Sequence, residues 1–416
     1  MDEFVVRAGR PLSGSVVIAG AKNSALKLIA ACLLAEGRHV LHEVPRISDV
    51  WTMAELVTAM GARAAYEDDG SLVVEVPSAI DPVAPYELVQ RMRASIVVLG
   101  PLLARHGYAR VSLPGGDDFG HRPIDFHLSA FEAMGAEFET RHGYVEGRCQ
   151  RLNGTRIVLE FPSHTTTDNI LMGAVLAKGT TVIENAAREP EVADLAAMLV
   201  SMGARIEGAG TSHIEVEGVE TLRPADHTPI PDRVEAATYL AAVGIAGGEI
   251  HLDRARAEHM DMLLAKVGAM GVHTVATESG ILATSSGRLR ATDVVTLPYP
   301  GVATDYKPLV VTMLSVADGV SVVSENLFSG RFRYVDELRR MGADIVTEGH
   351  HAVVRGVPTL SGTQVSAGDL RAGAALVLAG LAADGETIVG GAGHVDRGYE
   401  RFAEKLTSLG ADVTRR

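Results

Sequence analysis

Three cations stand where a cation is normally unfavourable, in the first turn of helical segments that are otherwise apolar. They are Lys22, Arg93 and Arg371. A helix N-terminus carries unpaired N–H groups and a partial positive charge, so it disfavours a neighbouring lysine or arginine. An anion bound at the same place reverses that balance. The three residues together predict a binding site for an anionic small molecule.

Two polar segments add further charged groups that are suited to catalysis. Residues 113–125 are rich in glycine and include Asp117 and Arg122. Mobile glycine-rich loops of this kind often close over an active site, so a lid is expected here. A hairpin turn with solvated charges is the alternative for this loop taken alone. The second segment, residues 394–401, contains Arg397 and precedes the last helix.

The starts of the apolar helices are chemically distinct from one another. Polar residues open them where apolar ones would be expected, and the set comprises Lys22, Asn23, Ser163, His164, Thr165, Asp232, Asp305 and Asp369. Asp, Ser and Thr are ordinary N-caps, and capping explains most of these positions. The cations are not explained by capping, so the anion site remains the interpretation.

A sixfold internal repeat organises the chain. Successive glycines of one recurring triplet are 68 to 74 residues apart, and the triplets are Met60-Gly61-Ala62, Met134-Gly135-Ala136, Met202-Gly203-Ala204, Met270-Gly271-Val272, Met341-Gly342-Ala343 and Leu409-Gly410-Ala411. Each follows an amphipathic helical pattern and precedes an alternating strand pattern. One such glycine is an ordinary helix cap, but six at a near-constant interval indicate a repeated supersecondary unit.

A second helix in each repeat is apolar on nearly every side, which is typical of a buried helix. These helices are predicted over 23–34, 86–104, 167–177, 233–246, 307–317 and 370–383. The repeat therefore reads as strand, buried helix, strands, amphipathic helix and strand. The prediction is an α/β fold of two domains, each wrapping three buried helices in sheets and surface helices.

Composition and charge exclude several classes of protein. The 416 residues carry a formal net charge of −14 and only two cysteines, Cys32 and Cys149. An acidic chain lacks the basic surface of a general nucleic-acid binder. Two cysteines build neither a disulfide framework nor a cysteine zinc site, and no apolar run is long enough to span a bilayer. With acids at 2–3 in place of a signal peptide, we expect a cytoplasmic protein.

With these residues assembled, the whole chain resembles the enolpyruvyl transferase family. The match is carried by Gly-Ala-Lys22-Asn23, Met92-Arg93-Ala94-Ser95, the segment from Asp117 to Asp125, Glu184-Asn-Ala-Ala-Arg188, Pro231-Asp232-Arg233, Thr304-Asp305, Asp369-Leu-Arg371 and Asp396-Arg397-Gly-Tyr. Asn23 after Lys22 resembles the branch that acts on UDP-N-acetylglucosamine in peptidoglycan precursor synthesis. The sister branch, the shikimate-pathway synthase, usually has Ser at that position.

The resemblance implies an inside-out α/β barrel in each of two domains. One domain would comprise 1–21 plus 231–416, and the other 22–230 with the lid loop 113–125. The substrates would bind in the cleft between the domains. No motif in the sequence indicates a metal or a cofactor, so none is expected. The expected partners are small-molecule substrates, with no nucleic acid and no membrane, and the sequence does not reveal the oligomeric state, for which a monomer is plausible.

The resemblance also assigns roles in an addition–elimination reaction. Phosphoenolpyruvate would be held by several cations at once, because planar arginine forks suit carboxylate and phosphate. The implied set is Lys22, Arg93, Arg122, Arg331, Arg371 and Arg397, with Lys22 and Arg397 also counted as catalytic. Asp305 matches the proposed base for the acceptor hydroxyl. Asp117 replaces the cysteine of many members and would be the proton donor, so fosfomycin, which alkylates that cysteine, should not label this chain.

The acceptor side departs from the family pattern. By resemblance, Asn23, Arg122, Pro123, Asp125, Ser163, His164, Thr165, Asp305 and Leu327 would contact a uridine nucleotide. However, the diphosphate loop usually reads Ser-Val-Gly-Ala/Ser-Thr, whereas in this chain it is Ser163-His164-Thr165-Thr166-Thr167. UDP-N-acetylglucosamine is the expected acceptor, and another uridine nucleotide such as UMP is the alternative.

Two further interpretations compete with this one. A ring-shaped DNA sliding clamp also has six repeats, but its lining is uniformly basic, whereas these cations gather at particular helix starts. The shikimate-pathway enzyme is disfavoured by Asn23 and by the loop that resembles a uracil site. Neither alternative explains the assembled motifs as well as a uridine-nucleotide enolpyruvyl transferase.

Overall fold

The computed structural model describes residues 2–113, 115, 124–328 and 330–416. The described chain divides into two compact units. Unit 1 contains the described residues up to Ala19 together with Pro231–Arg416, and unit 2 contains the described residues from Gly20 to Ile230. Each unit has an apolar core of its own. Within the described ranges, no helix has both the length and the apolar character needed to cross a membrane.

Sheets of one design recur in both units. Within the described residues there are six four-stranded sheets, and four of them have the strand order first, second, fourth, third along the chain. The other two have the same arrangement, but Asp226–His227 supplies the first place in one and Glu3–Arg7 the fourth place in the other. The first two strands are parallel and the other pairs antiparallel, as in the sheet of Arg156–Val158, Thr180–Glu184, His213–Glu217 and Arg205–Glu207. This common order confirms the sixfold repeat and the predicted α/β fold with three repeats in each unit.

The remaining sheets have the following bounds. In unit 2 they are Asp226–His227, Gly37–Leu41, Leu72–Val76 and Arg63–Tyr66, and then Val83–Ala84, Tyr108–Ser112, Tyr144–Arg148 and Glu137–Arg141. In unit 1 they are Leu12–Val17, Gly248–Asp253, Gly280–Ser285 and Val272–Ala276; Val294–Val295, Val320–Ser324, His351–Arg355 and Asp344–Glu348; and Gln364–Ser366, Glu386–Gly390, Glu3–Arg7 and Asp412–Arg415. A small two-stranded sheet pairs Leu360–Ser361 with Ala383–Asp384.

Buried helices fill the core of each unit, as the apolar pattern predicts. They are Lys22–Cys32, Leu99–His106 and His164–Ala174 in unit 2, and Arg233–Ala246, Lys307–Ser315 and Leu370–Gly380 in unit 1. In the last of these every residue is buried, which explains why no polar face appears in its sequence. Amphipathic helices cover the outside, namely Ser48–Ala59, Asp125–Ala133, Pro190–Ser201, Asp261–Met270, Val335–Arg340 and Phe402–Ser408. Short helices or 3-10 turns lie at Tyr86–Val89, Arg93–Val98, Ala257–His259, Thr304–Tyr306 and Ala392–Val395.

The recurring glycine has the same backbone conformation in every repeat. It lies directly after an amphipathic helix and has a positive φ between 88° and 111°, at Gly61, Gly135, Gly203, Gly271, Gly342 and Gly410. Residues with a side chain rarely adopt that conformation, so a glycine ends the helix and turns the chain into the next strand. The helix-cap interpretation of the triplets is confirmed.

The second buried helix is not continuous, and the prediction of one helix over 86–104 is wrong. A helix over Tyr86–Val89 ends, a 3-10 turn follows at Arg93–Val98, and the α-helix begins at Leu99. At the start of that α-helix, the Asn169 side chain takes the place of a helical hydrogen bond. Its Oδ1 accepts from the Gly100 N–H at 2.7 Å and its amide donates to the Ile96 carbonyl at 3.0 Å. A side chain inserted among helical hydrogen bonds in this way interrupts the ladder of those bonds.

His127 completes this junction and must remain neutral. The Asn169 amide lies 2.9 Å from His127 Nδ1. The ring is buried, and burial lowers the pKa of His127 to about 3, with a further contribution from Arg93. Its pKa in the unfolded chain is near 6.5. The unfolded chain therefore binds more protons between these two values, so stability is full above the higher value and is lost as the pH falls.

We expect acidification from about pH 7.5 to about pH 5.5 to lower the free energy of unfolding by about 1.4 kcal/mol through His127 alone. His127→Gln keeps a hydrogen-bond acceptor but cannot be protonated, so it should lose that part of the pH dependence. Urea unfolding at the two pH values measures the difference. The matched control is His273→Gln, at an exposed strand position, which should retain the full dependence. Equal pH dependence in wild type and His127→Gln would contradict the assignment.

Candidate active site

In unit 2, the start of the first buried helix pairs a cation with a buried acid. Lys22 is the first residue of the helix Lys22–Cys32, and its Nζ lies 2.8 Å from Asp49 Oδ2. Both side chains are at least nine-tenths buried. Asp49 comes from the first turn of the helix Ser48–Ala59, where an acid is favourable. The unfavourable position of Lys22 is thus balanced in part by a carboxylate of the protein itself, and Asn23 beside it is half-buried.

The start of the third buried helix is capped by Ser163. Its hydroxyl oxygen accepts from the Thr166 N–H at 3.4 Å and from the Thr166 hydroxyl at 2.9 Å. The helix begins at His164, three residues earlier than predicted, so His164 and Thr165 lie in its first turn. First-turn N–H groups point out of the helix end and attract anions.

A buried ion pair lies next to His164. Lys27 Nζ lies 2.6 Å from Asp168 Oδ2, and the two side chains are 3% and 0% exposed. The same ammonium lies 3.2 Å from His164 Nδ1, whereas the His164 side chain is 40% exposed. Because an ammonium can only donate, Nδ1 is the acceptor and the proton of the neutral ring lies on Nε2. His164 therefore adds one directed N–H donor at the start of this helix.

In unit 1, a carboxylate lies between two buried guanidinium groups. Asp305 Oδ1 accepts from Arg331 Nη1 at 2.8 Å, and its Oδ2 accepts from Arg371 Nε at 3.3 Å. The Asp305 side chain is 28% exposed, while those of Arg331 and Arg371 are 4% and 2% exposed. Burial works against the charge on Arg331, but Asp305 and Asp369 outweigh it and raise its pKa above the ordinary value. Both arginines are therefore charged and fixed, as anion recognition requires.

Local sequence explains how this unit 1 group is positioned. Asp305 lies in a 3-10 turn, Thr304–Tyr306, immediately before the fifth buried helix. Asp369 caps the sixth buried helix by accepting from the Arg371 and Ala372 N–H groups, both at 2.9 Å. Arg331 follows the strand Val320–Ser324 on a loop that also carries Leu327. The side chains therefore converge because each comes from the same end of a repeated element.

The structure brings three of the predicted residues of unit 1 into contact. Asp305, Arg331 and Arg371 are in direct contact. Arg93 begins the 3-10 turn of the second repeat, Asp125 is the exposed first residue of an outer helix, and Arg397 is half-buried after a short helix. Three predicted residues, Asp117, Arg122 and Pro123, lie outside the described residues.

Sequence reasoning missed the acids and bases that partner the predicted groups. These are Asp49, Lys27, Asp168, Lys307 and Glu325. One signal was available for Lys27 and Asp168, because each is a charged residue inside an apolar helical run. Buried charges are normally paired, so two such residues in helices of one domain indicate a pair.

The comparisons with known proteins agree with this geometry. The family model described as EPSP synthase (3-phosphoshikimate 1-carboxyvinyltransferase) matches residues 6–406. UDP-N-acetylglucosamine 1-carboxyvinyltransferase from Anaeromyxobacter sp. (strain Fw109-5) is 50% identical over 419 residues, covering 100% of this chain and 99% of the relative. The chain belongs to the enolpyruvyl transferase family. It is therefore an enzyme of the transferase class, and the family resemblance drawn from the motifs is confirmed.

Other members of the enolpyruvyl transferase family show the same likeness. UDP-N-acetylglucosamine 1-carboxyvinyltransferase 2 from Carboxydothermus hydrogenoformans is 48% identical over 417 residues, covering 100% of this chain and 99% of the relative. The solved structure of the enolpyruvyl transferase NikO from Streptomyces tendae has a TM-score of 0.88 at 27% identity, covering 100% of this chain and 98% of that one. EPSP synthase from Acinetobacter baumannii, at 18% identity, a TM-score of 0.77 and full coverage of both chains, shares the fold.

The Lys27–Asp168 pair gives a prediction about stability. Lys27→Met leaves Asp168 buried without its cation, which should lower the free energy of unfolding by about 3–5 kcal/mol. Lys27→Met/Asp168→Leu removes both charges and should cost much less than the single change. Urea unfolding of the single and double variants measures the coupling between the two residues.

An exposed pair in the same unit provides the control. Arg91 and Glu55 lie 2.6 Å apart with side chains 52% and 53% exposed. Arg91→Met should change the free energy of unfolding by less than about 1 kcal/mol. If Lys27→Met cost no more than Arg91→Met, Lys27 would not be the cation that keeps Asp168 stable inside unit 2.

Proposed function

We propose that this enzyme transfers the enolpyruvyl group of phosphoenolpyruvate to the 3-hydroxyl of UDP-N-acetylglucosamine and releases phosphate. The observation that carries the proposal is the contact of Asp305 with the buried guanidinium groups of Arg331 and Arg371. It occurs in a chain that is 50% identical along its length to a UDP-N-acetylglucosamine 1-carboxyvinyltransferase. The product would be a precursor of peptidoglycan.

Phosphoenolpyruvate requires fixed cations, because it carries a phosphate and a carboxylate on a small carbon frame. We assign Arg331 and Arg371 to its carboxylate, with Arg93 close by. Lys22, Arg122 and Arg397 are assigned to its phosphate. Arginine forks bind such oxygens in pairs, and fixing them in advance lowers the entropic cost of reaching the reactive geometry.

The chemistry is an addition followed by an elimination. Asp305 removes the proton from the acceptor hydroxyl, whose oxygen attacks C2 of the enol while C3 gains a proton from Asp117. In the elimination, phosphate leaves C2 and the Asp117 carboxylate takes one proton from C3, which restores the double bond. At rest, Asp305 offsets part of the positive charge of the two arginines. A bound carboxylate provides the arginines with another anion, and Asp305 is then available as a base.

The acceptor is a uridine nucleotide held by Asn23, Pro123, Asp125, Leu327 and the helix start at Ser163, His164 and Thr165. The Ser163 hydroxyl oxygen already accepts two hydrogen bonds, so its own proton is available to a phosphate oxygen. The His164 Nε2–H is a second such donor. Because this donor is an addition to the usual loop, a nucleotide with a more highly charged phosphate, such as UMP, is the second candidate acceptor.

The same proposal places the enzyme in the cytoplasm, with small molecules as its substrates. A formal net charge of −14 supports the absence of a nucleic-acid partner. Local cation clusters on an acidic protein are compatible with anionic substrates.

Phosphate release from phosphoenolpyruvate, with product masses, tests the proposal. We expect turnover with UDP-N-acetylglucosamine and little with UMP, and Asp305→Asn should lower kcat by about 100-fold or more. Turnover with UMP alone would show that UMP, and not UDP-N-acetylglucosamine, is the acceptor. It would also make His164 the residue that selects UMP. His164→Val should then lower kcat/KM for UMP more than for the UDP-sugar. If no acceptor led to phosphate release from phosphoenolpyruvate, the proposal would be overturned.

Asp117 gives a separate prediction about inhibition. A carboxylate is a far weaker nucleophile than a thiolate toward an epoxide, so fosfomycin should leave the mass of the protein unchanged. Asp117→Cys should become labelled at that position and lose activity with time. Intact-protein and peptide mass spectrometry measure the adduct. An adduct on Asp117 in the wild-type protein would contradict this prediction.

A further inference from the structure

One buried carboxylate in unit 1 has no part in the proposed reaction, yet it contacts both segments that carry site residues. Glu325 lies just after the strand Val320–Ser324 and is 1% exposed. Its Oε1 accepts from the Thr296 hydroxyl at 2.8 Å, the Leu327 N–H at 2.8 Å and the Phe328 N–H at 3.1 Å. These bonds fold the loop that leads from Glu325 to Arg331.

The other oxygen of Glu325 holds the turn that carries Asp305. Oε2 accepts from the Thr304 hydroxyl at 2.8 Å. The Thr304 oxygen accepts in turn from Arg331 Nη1 at 3.1 Å, and the same Nη1 donates to Asp305 at 2.8 Å. A continuous chain of hydrogen bonds therefore runs from Glu325 through Thr304 and Arg331 to Asp305.

Lys307 supplies the charge that allows Glu325 to stay ionised inside the protein. Its Nζ lies 2.9 Å from Glu325 Oε2, and both side chains are 0% exposed. The ammonium also lies 3.8 Å from the centre of the Phe332 ring, which covers it from another side. Burial alone would raise the pKa of Glu325, but Lys307, Thr304 and the Leu327 N–H lower it below the ordinary value. Glu325 is thus a buried anion with a dedicated cation.

We propose that Glu325, held as a carboxylate by Lys307, is a positioning residue that fixes the Asp305 turn and the Leu327–Arg331 loop relative to each other. Neither residue reaches solvent, so neither touches a substrate. Their effect acts through Thr304 and Arg331 on the base and on the carboxylate-binding arginine. This inference rests on the function proposed for Asp305 and Arg331.

The pair also gives the site a dependence on alkaline pH. Burial lowers the pKa of Lys307 to about 8, against the attraction of Glu325. The other charged groups that act on Lys307 are Arg331, which favours loss of the proton, and Asp369, which opposes it. Above that pH Lys307 becomes neutral, and Glu325 keeps a buried charge without its cation.

Backbone hydrogen exchange tests the positioning without relying on any activity. In the full-length protein, Lys307→Met should speed exchange at the Leu327 and Phe328 amides by about 5-fold to 10-fold. Lys307→Met/Glu325→Gln should restore most of the protection, because a glutamine oxygen still accepts those bonds and needs no cation. The control is Arg355→Met, which removes an exposed partner of Asp344 in the same repeat. Unchanged exchange in Lys307→Met would overturn the inference.

Kinetics then test whether the positioning serves the reaction. Lys307→Met should lower kcat on the order of 100-fold, and the double variant should recover at least about tenfold of that loss. Wild type should lose kcat as the pH rises past the pKa of Lys307, whereas Lys307→Arg should shift that loss upward, because a guanidinium stays protonated. Altered exchange with unaltered kcat and pH profile would overturn the role in the reaction. If the wild type turned over no acceptor, the proposed function would be overturned. The hydrogen-exchange result would still show whether Glu325 and Lys307 position the loop.

Discussion

Arg331 and Arg371 are buried cations, and Asp305 is the carboxylate that balances them in unit 1. A guanidinium removed from water is costly unless it is paired and hydrogen-bonded. A site that binds an anion nevertheless needs such groups in place before its ligand arrives. Asp305 meets both demands, because it lowers the cost of burying the two cations and its side chain is still 28% exposed. Thr304, Glu325 and Lys307 are linked to Asp305 through hydrogen bonds and an ion pair. They meet the same requirement, because a charge buried in a low-dielectric interior needs a partner.

Much of the fold could be predicted because its signals are local. A glycine that ends a helix acts through its own backbone, so each of the six triplets identifies its turn without reference to the rest of the chain. A helix such as Leu370–Gly380 reveals its burial through an apolar sequence on every side. The anion site was predicted on similar grounds, since Lys22 and Arg371 occupy first turns that disfavour a cation, and it stays a prediction. The match of these motifs to the enolpyruvyl transferase family then identified the type of reaction.

The rest of the site depends on residues that are far apart in sequence. Asn169 replaces a helical hydrogen bond at the start of the Leu99–His106 helix from 69 residues away, and no propensity at Gly100 indicates that contact. Arg371 reaches Asp305 across 66 residues. The pairing of Lys27 with Asp168 likewise joins two different repeats of unit 2. Charge at these positions signals that a partner must exist, but only the packing of repeats selects which residue it is. The first-turn cations were expected to need an external anion, and Lys22 and Arg371 in fact have protein carboxylates beside them.

The closing strand of the sixth sheet comes from the opposite end of the chain. Glu3–Arg7 pairs with Asp412–Arg415, and the Glu3 N–H donates to the Arg416 carbonyl at 2.9 Å. Leu12–Val17 similarly completes the sheet of the fourth repeat. On the ribosome, the residues of unit 2 emerge as one uninterrupted stretch and have all their partners once that stretch is made. Leu12–Val17 and Glu3–Arg7 are made before unit 2, but the partner of the first, Gly248–Asp253, and the partners of the second, Glu386–Gly390 and Asp412–Arg415, are made after it. Synthesis therefore leaves these two strands unpaired while the whole of unit 2 is made.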